Sequence, residues 1–169
     1  PDSPRVGLLS NGEETGKGNL LVKETFELLK NSNLNFVGNV EGRDVFQGEV
    51  DVIVCDGFVG NICLKISEGL AEASMKMLRE EILKSLLAKI GYLFALPAFK
   101  RFKKQVSYDE YGGAPLLGVD GIGIVSHGKS NARAIMNAIL EAEQMAVNKV
   151  NQRIINGLAA SEEIQGDNS

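Results

Sequence analysis

The sequence predicts an α/β fold with a mainly parallel sheet and helices on both faces. Three observations carry that expectation. Short β-branched runs alternate with stretches of helical periodicity, and parallel strands so spaced need right-handed crossover connections. Glycine is abundant, at 19 of 169 residues, as many tight turns require. Two glycine-rich stretches, 11–19 and 56–61, each follow a strand-like run directly. Ligands in such sheets sit at the carboxyl ends of the strands, so both stretches belong on one edge.

In chain order, 5–10 reads as a short buried strand followed by the polar, glycine-rich loop 11–19. Leu20, Leu21, Thr25, Leu28 and Leu29 then give a helical face that Asn19 can cap. Residues 31–35 turn into a second strand at 36–40, and 41–44 turns again. The third strand starts at Val50, where Val52, Ile53 and Val54 suit a buried pleated surface. It breaks at Asp56-Gly57 and Gly60-Asn61, and a long helix begins at Ile62. A strand, a glycine turn and a helix N-terminus present backbone N–H groups and a positive dipole end, and both favour anions. An ordinary βα turn has the same composition and stays open as a reading.

The helix from Ile62 carries an apolar stripe through Ile66, Leu70, Leu78, Ile82, Leu86 and Ile90. Unbroken, it would be about 40 Å long, more than a small domain needs, so a partner is expected along it. Around 86–106 the chain forms the tip of a long, protruding helical hairpin. Leu93, Phe94, Leu96 and Phe99 are followed by Lys100, Arg101, Lys103 and Lys104. An apolar tip with a basic flank suits a membrane interface with anionic headgroups; packing in a dimer interface also fits, and the two can coexist. A loop is expected over 108–118 and a strand over 121–127. Ser130 or Asn131 caps a last helix whose apolar face holds Ile135, Ala138, Ile139, Ala142 and Met145. Residues 146–155 can extend it, and a polar, frayed tail is expected over 159–169.

The length suits one domain with a substantial core. Net charge is -4, which argues against wholesale nucleic-acid binding. Cys55 and Cys63 are too few and wrongly spaced for a zinc site or a disulfide framework, and are expected as small core residues. No spacing dictates a metal site, and no signal peptide or bilayer-spanning apolar run is visible. The chain opens on Pro1 in a connector-like segment, so a piece of a longer protein is expected.

Lys17 can supply a point charge for phosphate, although most loop lysines are simply solvated. Asn61 can cap the long helix or aim its amide at a substrate oxygen. His127, the single histidine, ends a strand on the expected ligand edge and is a general base or a structural histidine.

Five motifs together resemble a known family. They are P-R-V-G-L-L-S-N-G-E-E-T-G-K-G-N at 4–19, N-F-V-G-N-V-E-G-R-D at 35–44 and V-D-V-I-V-C-D-G-F-V-G-N-I-C-L-K at 50–65. Y-G-G-A-P-L-L-G-V-D-G at 111–121 and H-G-K-S-N-A at 127–132 complete the set. In order and spacing the chain resembles the C-terminal half of the bacterial phosphate acyltransferases, which make acyl phosphate from acyl-acyl carrier protein for phospholipid synthesis. The resemblance implies a three-layer α/β/α fold like that of isocitrate and isopropylmalate dehydrogenases. It implies a homodimer at the inner face of the cytoplasmic membrane, with acyl carrier protein and inorganic phosphate as partners. It also implies hand-over to a membrane-bound glycerol-phosphate acyltransferase, with no cofactor and no nucleic acid. On this reading Lys17 and Asn61 serve catalysis, the Gly57–Gly60 turn with Asn61 binds phosphate, and His127 handles a proton or places substrate. A phosphotransacetylase using coenzyme A, a nicotinamide-dependent dehydrogenase, and a non-catalytic dimerisation and membrane-docking module are the competing readings.

Overall fold

The computed structural model describes residues 3–106 and 112–166. The described chain divides into two compact units, Pro1–Ala73 and Ser74–Ser169.

The first unit is a parallel sheet with strand order β2-β1-β3, made of β1 (Val6–Leu9), β2 (Phe36–Val40) and β3 (Val52–Val54). Helix α1 (Leu20–Lys30) connects β1 to β2, and α2 (Gly57–Lys84) begins in this unit. Asn19 caps α1 as expected, its Oδ1 accepting from the Val22 N–H at 2.9 Å. The inward stripe of α1 differs from the expected one. Leu20, Leu21 and Leu28 are exposed, while Val22, Thr25, Phe26 and Leu29 are half-buried. Phe26 meets Phe36 of β2 edge-on at 5.2 Å between ring centroids, a geometry that adds about 0.5–1.5 kcal/mol to the area buried.

β2 holds an irregularity that sequence alone conceals. Val6 pairs with Phe36, but Gly7 pairs with Gly38, so Val37 is an extra residue and Gly38 takes φ 105°. Such a bulge shifts every later side chain to the other face. Asn39 therefore lies opposite Leu8, the most buried large side chain. The core of this unit is small: Val6, Leu8 and Val40. At the opposite end of the strands, Asp51 accepts from the Arg5 N–H at 2.7 Å and from its Nε at 3.1 Å.

α2 starts five residues before the expected Ile62 and ends at Lys84, so the helix is not continuous to Ile90. In its first turns Val59, Cys63, Ser67 and Ala71 are half-buried, while Ile62, Ile66 and Leu70 are exposed. Cys55 is exposed and Cys63 only half-buried, so neither is the core residue expected.

The second unit holds the rest of α2, α3 (Leu86–Val106), the antiparallel pair β4 (Ala114–Leu116) and β5 (Gly123–Val125), α4 (Ala132–Val147) and α5 (Val150–Gly166). Two outcomes depart from expectation. Residues 114–116 form a strand inside the expected loop, whose residues 108–111 lie outside the described ones. α5 takes in most of the stretch where polarity suggested a frayed tail, after a break at Lys149 with φ 52°. Gly112, at φ 77°, lies so close to α4 that a Cβ would sit 2.4 Å from the Ala138 nitrogen. Ala134, Ala138 and Met145 form the core here, whereas Ile135 and Ile139 of the expected face are exposed. No helix among the described residues is long and apolar enough to cross a membrane.

Candidate active site

The carboxyl ends of β1 and β3 lie side by side, because the two strands pair in parallel. Loop 11–19 follows β1 and α2 follows β3, so both stretches leave the same edge of the sheet, Lys17 in the loop and Asn61 in the helix. Their local settings differ.

Lys17 sits on a tight turn in which its N–H donates to the Glu14 carbonyl at 3.1 Å. Gly16 and Gly18 take φ 93° and 94°, a region that side-chain-bearing residues rarely adopt. Gly12 is buried, and a Cβ on it would lie 3.0 Å from Lys17 Cγ and 3.3 Å from Cδ, so the lysine stem lies over a bare glycine. Among the described residues no carboxylate pairs with the exposed Lys17 ammonium. The neighbouring cation, Arg43, is engaged by Glu13 at 2.8 Å and Glu41 at 3.3 Å.

Asn61 is neither cap nor turn. It is the fifth residue of α2, and Gly57 and Gly60 form the helix's first turn. The capping residue is Asp56. Its Oδ1 accepts from the Val59 N–H at 2.9 Å, and its carbonyl accepts from the Gly60 N–H at 2.9 Å. The capping carboxylate brings a negative charge to the place where a phosphate was expected. Asn61 is exposed, one turn along the helix from Gly57. A Cβ on Gly57 would meet nothing within 4 Å, which leaves that side open. Gly60 has a different reason to be glycine, since a Cβ there would approach Cys55 Sγ at 2.9 Å. Although Cys55 is exposed as a residue, partial desolvation of its thiol pushes the pKa up, with Cys63 and Asp56 adding to the shift.

His127 belongs to the second unit, after β5. Its Nδ1 accepts from the Lys129 N–H at 3.1 Å. Asn131, rather than Ser130, caps α4 by accepting from the Ala134 N–H at 3.0 Å. On α3, Leu93 and Phe94 are exposed at 68% and 84%. Leu96 and Phe99 are half-buried, Lys100 and Arg101 are exposed, and the side chains of Lys103 and Lys104 lie outside the described ones.

The sequence reading missed Asn39. It is only 7% exposed, and its Nδ2 donates to the Glu14 carbonyl at 3.1 Å. Its Oδ1, like Ser10 Oγ at the end of β1, is buried with no hydrogen-bond partner among the described residues. A buried unpaired acceptor costs about 1–3 kcal/mol. The one available signal was an asparagine inside an apolar strand run. Among the described residues, no group of three or more His, Cys, Asp or Glu could hold a metal ion.

The first unit is thus a parallel α/β sheet with an exposed lysine in one strand-end loop and a carboxylate-capped helix start at the next. A family model described as "Fatty acid synthesis protein" matches residues 1–153, and the chain belongs to that family. It is 64% identical over 153 residues to a phosphate acyltransferase of Geotalea uraniireducens, covering 90% of this chain and 44% of the relative. It is 62% identical over 154 residues to the phosphate acyltransferase of Syntrophotalea carbinolica, covering 91% and 44%. For that of Pelobacter propionicus the figures are 56% over 168 residues, 98% and 49%. The chain spans just under half the length of these relatives.

Proposed function

We propose that this chain is the C-terminal half of a phosphate acyltransferase. The whole enzyme makes acyl phosphate from acyl-acyl carrier protein and inorganic phosphate for phospholipid synthesis. The observation that carries the reading is the phosphate acyltransferase name of relatives at 56–64% identity. The paired strand ends, with Lys17 on one loop and Asn61 beside the next, support it. The three-layer, dehydrogenase-like architecture belongs to the same proposal. It fits a parallel sheet with α1 packed against β1 and β2.

Hydrogen phosphate attacks the thioester carbonyl carbon through one oxygen. The C–O bond forms as the C–S bond breaks, and the proton of the hydrogen phosphate ends on the departing thiolate. A thioester is already activated, so holding the reactants together and stabilising the oxyanion suffice. Lys17 supplies charge to phosphate or to the leaving thiolate. Asn61 donates its amide to the oxyanion or to phosphate, and the first turn of α2 at Gly57–Gly60 forms a wall of the phosphate site. His127 handles a proton or places substrate. In the full-length protein, Lys17→Ala and Asn61→Ala each lower turnover about 100-fold or more with the fold intact, in line with loss of one positioned donor. Near-normal turnover in both removes these roles.

The enzyme works as a homodimer, peripherally bound at the inner face of the cytoplasmic membrane, and passes its product to a membrane-bound glycerol-phosphate acyltransferase. The exposed Ile62, Ile66 and Leu70 stripe supports a dimer contact, and exposed Leu93 and Phe94 beside Lys100 and Arg101 support membrane contact. Ile66→Glu with Leu70→Glu shifts sedimentation from dimer to monomer; an unchanged dimer excludes this stripe. Reversing the charge of Lys100, Arg101, Lys103 and Lys104 releases the protein from anionic vesicles, and unaltered co-sedimentation sinks the membrane reading.

A further inference from the structure

We infer that Asn39 is a positioning residue that sets Lys17 in place; this rests on the phosphate-binding role proposed for Lys17. The bulge at Val37–Gly38 brings Asn39 opposite Leu8, on the face that also holds buried Val6. An apolar side chain there would join the core with no polar atom left to satisfy. The amide is therefore a poor choice for stability, since its Oδ1 is buried without a partner among the described residues. Its one described hydrogen bond leaves the sheet altogether. Nδ2 donates to the Glu14 carbonyl at 3.1 Å, and the Lys17 N–H donates to the same carbonyl at 3.1 Å. One carbonyl thus joins the end of β2 to the Lys17 backbone, across a loop that Gly16 and Gly18 leave conformationally free. The contact of the Lys17 stem with Gly12 carries that placement outward toward the ammonium. Small misplacement of a charged group costs large factors in rate. The buried amide trades stability for the position of one lysine.

The test uses the full-length protein with inorganic phosphate and an acyl-acyl carrier protein donor. Asn39→Leu is nearly isosteric and removes both the donor and the orphaned acceptor. It is expected to keep or raise the melting temperature while kcat/KM for phosphate falls about 10–100-fold. KM for the acyl donor stays unchanged. In a Lys17→Ala background the same substitution has less than about a twofold effect, because its route of action is already gone. A folded Asn39→Leu with full activity overturns the inference, as does an equal loss in both backgrounds. A silent Lys17→Ala instead overturns the role of Lys17, and this inference with it. If Asn39→Leu does not fold, Asn39→Ala takes its place in the same cycle, with the same outcomes deciding.

Discussion

The two glycine-rich stretches on the strand edge look alike in sequence and are built differently. Loop 11–19 is a true loop. It depends on left-handed backbone at Gly16 and Gly18 and is pinned by Asn39 of β2 and, from the turn after β2, by the Arg43–Glu13 pair. The stretch after β3 is a helix start that closes on itself through Asp56, with no positive φ at Gly57 or Gly60. Glycine clusters therefore do not define one kind of anion site. In the first, glycine permits a backbone that other residues resist; in the second, it permits close approach and open space.

The largest structural consequence of this contrast is in the cost of adding a methyl group. Gly18→Ala must hold φ near 94° and bring its Cβ to 2.5 Å from Val22 Cγ1, the residue that heads the inward stripe of α1. A loss of about 1–3 kcal/mol is expected. Gly57→Ala meets nothing within 4 Å on helical backbone, and should stabilise by about 0.4–1 kcal/mol. Denaturant midpoints at constant m-value measure both. Equal losses in the two variants would erase the distinction between the stretches.

Asp56 sharpens it next. Asp56→Ala removes the cap of α2 and should cost about 1 kcal/mol. Asp56→Asn keeps an acceptor for the Val59 N–H and should cost little, while removing a negative charge from the helix N-terminus. If phosphate contacts that terminus, its affinity rises in the Asn variant, by up to about fivefold for a surface charge near a helix end. Isothermal titration with inorganic phosphate reads this directly, and weaker binding in Asp56→Asn would mean the carboxylate itself serves the site.

Local signals were legible in the sequence, and features set by pairing were not. The strand runs, the edge shared by the two stretches and the Asn19 cap follow from short-range chemistry. α1 was misread because apolar residues lie on more than one side of it. Leu20, Leu21 and Leu28 compete with Val22, Phe26 and Leu29, and only contact with Gly18 and Phe36 decides. The start of α2 was misplaced because Gly57 and Gly60 weaken a helix on propensity alone, yet Asp56 supplies the N-terminal bond that starts it. β4 was missed because Pro115 and the flanking glycines read as loop, although a two-stranded edge tolerates proline. Asn39 was invisible because its burial depends on a one-residue bulge, which no pattern within β2 reveals.

The smallest expected effect distinguishes the two sides by pH. The β2 pin on loop 11–19 includes a neutral amide, whereas β3 is held to β1 at its start by a carboxylate. The hydrogen bond from the Arg5 guanidinium, then that from the Arg5 backbone N–H, keeps Asp51 below its ordinary pKa of 3.8. A carboxylate with a depressed folded-state pKa contributes stability that is fully present above the unfolded value. That contribution fades as pH falls through the window between the two pKa values and is gone below the folded one. The pair is solvent-exposed, so the contribution is small and weakens with salt. At neutral pH and low salt Asp51→Asn should therefore unfold at slightly lower denaturant than the parent. The two midpoints should converge as pH drops through and below the ordinary carboxylate range. A gap of constant size down to pH 2 would mean that the two Arg5 bonds to Asp51 hold β3 by geometry rather than by charge.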